Sequence, residues 1–165
     1  MAKKVGGVVI PLDYEEIKEY IQNASESSKI YIGCDSQRIR KRRQGKKFAR
    51  YVTTVVCHID SKHGARVFGG VSYHQIMDGD LSKPFTRLFK EAEMVVETYE
   101  ELYEVLIDRD VELHIDINPD KQFNSNIVHG AAKGYILGMT GIEPKVKPEA
   151  WAASCAADHY VKGGV

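Results

Sequence analysis

Several carboxylates stand where they can do chemistry together. Asp35 ends an otherwise apolar run, KIYIGCD, and Asp116 stands at the end of another, VELHIDI. A lone Asp after a strand commonly caps the next turn, but here a third carboxylate joins the pair. Asp158 is the only interior charge of the Ala-rich segment PEAWAASCAADHY apart from Glu149 in its first turn. An unpaired buried carboxylate costs several kcal/mol, so Asp158 needs a partner, and a bound cation is one. Glu91 and Glu93 flank Ala92 on an apolar stripe, about 100° to either side of it, so either can emerge where the core meets an active edge.

The elements that must bring these groups together can be read in turn. Asp13 and Glu16 form an acidic version of the capping box, with Leu12 and Ile17 placed as a hydrophobic staple, which predicts an arm and then a helix to about Asn23. Three β-rich runs follow, KIYIGCD, ARYVTTVVCHI and ARVFGGVSYH, joined by short connections that imply an antiparallel meander. Apolar residues from Phe85 to Leu106 keep a period near 3.6 and predict a long helix. Next come a strand ending in Asp116, a helix from about Asn126 to Leu137 closed by Gly138 and Gly141, a brief strand at Lys145 to Lys147, and a last helix from Glu149 to Lys162. This order predicts an α/β fold with a mixed sheet whose later strands run parallel to the first. If the strands bearing Asp35 and Asp116 are parallel neighbours, both side chains reach the edge where open α/β sheets bind ligands.

The segments IGCDSQ (Asp35), RLFKEAE (Glu91 and Glu93), HIDINPD followed by SN (Asp116, Asn118, Ser125, Asn126) and KPEAWAASCAADHY (Asp158) resemble the ribonuclease H-like superfamily, in particular its YkuK-like branch. The resemblance runs from Lys29 to Lys162. It implies a ribonuclease H-like five-stranded mixed sheet flanked by helices: residues 1–28 are an arm and helix, and 29–165 the domain, one compact unit in all. It also implies that Asp35, Glu91, Asp116 and Asp158 are the catalytic carboxylates and hold two Mg2+ or Mn2+ ions, with Glu93 the alternative to Glu91. The activity implied is metal-dependent hydrolysis of phosphodiester bonds. Two departures from ribonuclease H proper bear on substrate: Ser36 rather than Gly follows the first Asp, and an Asn-rich turn before the long helix is absent, which removes the usual grounds for RNA specificity in a hybrid.

The 23 basic and 23 acidic residues cancel, but they are unevenly placed. Arg38, Arg40, Lys41, Arg42, Arg43, Lys46 and Lys47 crowd one predicted turn just after Asp35, positioned to track a phosphate backbone, whereas the stretch from Glu91 to Glu112 is acidic but for Arg109. The expected partner is nucleic acid, DNA or RNA. The competing reading is a catalytically weak or inactive module of the same fold that binds or assembles on nucleic acid.

Other chemistries fit poorly. The segment DINPDKQFNSNI has Lys121 where a calcium loop needs Gly and Ile127 where it needs Glu. There is no GxxxxGK[ST], and Gly69-Gly70 reads as a β-bulge. The six His residues lack metal-ligand spacing; His114 and His159 read as structural, while His74 and His129 fall nearer the active edge. Cys34, Cys57 and Cys155 read as separate buried thiols. No apolar run approaches the ~20 residues that cross a bilayer, so no membrane association and a cytoplasmic location are expected.

Overall fold

The computed structural model describes residues 8–39, 45–59, 64–76, 85–115 and 125–146. Helix α1 (Tyr14–Asn23) starts where the capping pattern predicts: the Asp13 side chain accepts from the Glu16 amide at 3.1 Å, and Glu15 and Glu16 sit favourably at the positive end of the helix dipole. Strands β1 (Lys29–Arg38), β2 (Phe48–His58) and β3 (Ala65–Gln75) form the expected antiparallel meander. The long helix α2 (Phe85–Leu106) leads to β4 (Asp110–Ile115), which pairs with β1 in parallel, and then to α3 (Ser125–Thr140).

The sheet order is β3-β2-β1-β4. The fifth strand expected near Lys145 to Lys147 is, among the described residues, a single parallel bridge between Lys145 and His114. Residues of the three described helices, among them Ile17, Ile21, Val95, Leu102, Ala132 and Ile136, share one core with Ile30, Ile32, Val55 and Leu113 of the sheet. Each of these fully buried Ile, Leu and Val side chains contributes roughly 1.5–3 kcal/mol. The other face carries two small buried clusters, Tyr31 with Val56 and Val52 with Val71, and neither includes a residue of a described helix. Buried His114 meets Tyr31 edge-on at 5.4 Å.

Three local expectations need correction. Gly69 and Gly70 form no bulge: they pair in register with Thr54 and Thr53. Gly70 is required because the N-terminal arm crosses it, with Ile10 bridging Val71, and a Cβ there would lie 2.8 Å from Leu12 Cγ and 3.2 Å from the Ile10 carbonyl oxygen. Helix α3 runs through Gly138 and stops at Gly141, whose φ of +75° suits the left-handed end of a helix, with its amide donating to Leu137 O at 2.9 Å. Third, β1 does not end at Asp35 but continues to Arg38, because Ser36, Gln37 and Arg38 still pair with Tyr51, Arg50 and Ala49 of β2.

Candidate active site

Among the described residues, the pairing of β1 with β4 runs to Cys34↔Ile115, and Asp35, the next residue of β1, is held by Val52 across the antiparallel ladder. Asp116 follows Ile115 in the chain, and both it and Asp158 lie outside the described residues.

Glu91 meets this end of β1 from α2. It lies in the second turn of α2, on the face turned to the sheet, and is fully buried. The Ser36 hydroxyl donates to Glu91 Oε1 at 2.5 Å. The guanidinium of Arg87 donates from Nη1 to the same Ser36 oxygen at 2.8 Å and to the Ser36 carbonyl at 3.3 Å. The Ser36 amide donates to Asp35 Oδ1 at 2.9 Å. Two buried atoms of this group, Glu91 Oε2 and Arg87 Nε, have no hydrogen-bond partner among the described residues.

Burial pushes the Glu91 carboxyl well above the usual glutamate range, and the nearby Asp35 charge adds to the shift, against the Ser36 hydrogen bond and the Arg87 charge. The same environment acts on its neighbours. Burial, then the Glu91 charge, raises both the Cys34 thiol and the Tyr51 phenol, whose hydroxyl donates to Arg87 O at 3.3 Å. His74 packs edge-on against the Tyr51 ring at 5.3 Å, and burial, then Lys90, lowers its pKa. Cys34 and Cys57 are buried free thiols, as read from the sequence.

Glu93 sits differently. It is half-buried and lies 4.0 Å from Lys90, one helical turn away on α2. Arg38 is exposed at the end of β1, and Lys46 and Lys47 immediately precede β2, so the basic segment does occupy the β1–β2 connection; Arg40, Lys41, Arg42 and Arg43 lie outside the described residues. His129 is half-buried on α3, with its Nε2 buried and without a hydrogen-bond partner, and buried His114 lies on the sheet.

The donors suit a hard divalent cation: Asp35 and Glu91 supply carboxylate oxygens, and one Glu91 oxygen has its lone pairs unmatched in a buried place. Among the described residues, no group of three or more His, Cys, Asp or Glu is arranged to hold a metal. Arg87 and the role of Ser36 were missed in the sequence. Arg87 precedes Glu91 by four residues in RLFKE, the spacing that puts two side chains on one helix face, and that signal was there to be used. Tyr51 gave no signal beyond strand alternation.

A ribonuclease H-like family model matches residues 13–162. The chain belongs to the ribonuclease H-like family. The match supports the YkuK-like branch named from the sequence, and it begins at the Asp13 cap, so α1 lies inside the matched region of this ribonuclease H-like chain. The mixed sheet, with three antiparallel strands and a parallel neighbour for β1, is consistent with the family's fold. No curated protein and no solved structure matches the chain. No described helix is long and apolar enough to cross a membrane.

Proposed function

We propose that this ribonuclease H-like chain is a metal-dependent nuclease that hydrolyses phosphodiester bonds of nucleic acid, with Asp35, Glu91, Asp116 and Asp158 as the ligands of Mg2+ or Mn2+. The observation that carries the reading is the buried Glu91 carboxyl, which faces Asp35 and Ser36 of β1 with one oxygen unmatched among the described residues. Family membership supports a nucleic-acid-related function. Glu91 is taken over Glu93 because Glu91 is the one turned toward Asp35 and Ser36.

Bound by these carboxylates, divalent cations would lower the pKa of an attacking water and neutralise charge on the leaving oxygen. The chain's own residues have separate tasks. The four acidic groups, brought together, would repel one another without a cation, which is the cost that makes them bind one. The basic β1–β2 connection, Arg38 to Lys47, would draw in the phosphate backbone through sequence-independent, salt-sensitive attraction.

The test is incubation of the purified chain with labelled single-stranded, duplex and hybrid substrates in Mg2+ or Mn2+. Cleavage by wild type that falls to background in Asp35→Asn and Glu91→Gln is the expected result. No cleavage by wild type, or undiminished cleavage by Asp35→Asn, overturns the reading; salt-dependent binding without cleavage would instead identify a binding module of the same fold.

A further inference from the structure

We propose that Ser36 and Arg87 are positioning residues that hold Glu91 so that it offers a single oxygen, Oε2, to a divalent cation. The inference rests on the metal-dependent reading above and deepens it.

With Glu91 ionised, as a cation ligand must be, the direction of the hydrogen bonds is forced by chemistry. Arginine has only donors, so the Ser36 oxygen must accept from Arg87 Nη1, and the one hydroxyl proton of Ser36 is left for Glu91 Oε1. The hydroxyl therefore cannot rotate to serve another acceptor without abandoning Glu91. A second Arg87 contact, to the Ser36 carbonyl, ties the same guanidinium to the strand backbone. Ser36 also reaches the neighbouring carboxylate through its amide, at 2.9 Å from Asp35 Oδ1. One residue thus orients both acidic groups, the amide holding Asp35 and the hydroxyl holding Glu91.

Routing the arginine through a serine has a specific effect. Arg87 and Glu91 are four residues apart on one face of α2, placed for a direct ion pair, yet no ion pair joins them among the described residues. A bidentate pair would occupy both carboxylate oxygens. The serine relay fixes Oε1 and leaves Oε2 buried with no partner among the described residues. A buried carboxylate oxygen left in that condition has its lone pairs open to a ligand.

The experiment is calorimetric titration of MnCl2 into the chelator-stripped full chain, comparing wild type with Ser36→Ala, Ser36→Thr and Arg87→Met, alongside thermal melting of each without metal. Loss of a partner that orients a metal ligand weakens affinity by about 10–100-fold, and that is the expected result for Ser36→Ala. Ser36→Thr keeps the hydroxyl and should restore affinity close to wild type, while Arg87→Met, which keeps bulk and removes the donor, should weaken it. A folded Ser36→Ala that binds Mn2+ as wild type does, even with a lowered melting temperature, overturns the positioning role and leaves the metal site standing. If Ser36→Ala does not fold, Arg87→Met decides in the same way. A wild type that takes up no Mn2+ overturns the metal reading and this inference with it.

Discussion

Replacing Glu91 by Gln should change how the stability of the metal-free protein depends on pH, and the sign follows from burial. At low pH the acid and the amide are both neutral. The amide exchanges an oxygen that has no partner for an NH2 group that has none, so Glu91→Gln should cost about 1–2 kcal/mol there. Above the ordinary glutamate value of 4.5 the unfolded wild-type chain releases its proton, whereas the folded chain, with its raised carboxyl, retains it. The unfolded state then binds fewer protons, so wild type loses stability as pH rises, by about 1.4 kcal/mol per pH unit, until the folded carboxyl ionises as well. The amide has no such slope. The two stability curves should therefore cross roughly one pH unit above the ordinary value, near pH ~5.5, with the variant the more stable beyond it. Urea denaturation of both proteins in chelator, across a series of buffers, measures the difference and cancels the groups they share. A difference that does not change with pH would refute the burial argument. Adding Mn2+ at neutral pH should reverse the order, because only wild type gains stability by binding.

Three further outcomes are expected. Gly70→Ala should destabilise by about 1–3 kcal/mol in thermal or urea melts, since its Cβ meets Leu12 Cγ at 2.8 Å with the arm backbone close behind; Leu12→Ala in the same chain should recover part of the loss. The His74 ring should titrate below its ordinary 6.5 by NMR, and Lys90→Gln should move it upward. Being depressed in the folded state, His74 costs stability only as pH falls below 6.5, where the unfolded chain takes up the proton first. Asp116→Asn should raise the melting temperature of the metal-free protein by removing one charge from a self-repelling cluster, and a clear drop in differential scanning calorimetry would contradict the proposed convergence.

What was legible in the sequence is what depends on periodicity and capping. The 3.6-residue stripe from Phe85 to Leu106 marked α2, and Asp13 with Glu16 marked the start of α1. What was not legible depends on partners distant in the chain. Ser36, Gln37 and Arg38 look like the residues of a turn, and only β2 opposite holds them in a strand. Gly69-Gly70 looks like a break in the ladder, because nothing local shows that the arm at Ile10 to Leu12 will lie against it. Gly138 looks like a helix stop, yet α3 continues to Thr140, whose hydroxyl donates to Ile136 O at 2.7 Å. At the candidate site, Asp35 and Glu91 stood out by residue type and position. The serine between them and the arginine behind it did not, since a relay of hydrogen bonds across 51 and 55 positions of sequence leaves no pattern in either segment alone.

The end of α1 depends on a residue far along the chain. The guanidinium of Arg109, in the corner between α2 and β4, donates to the carbonyls of Ile21 at 2.8 Å, Ala24 at 3.0 Å and Ser25, in the last turn of α1 and just past it. A helix of 10 residues is marginal by itself in water. During synthesis, then, α1 gains a finished C-terminus only once the whole meander and α2 have been made and Arg109 has swung into place. Nascent chains stopped short of that arginine should carry a frayed, protease-sensitive N-terminal segment, and a few more residues of growth should protect it.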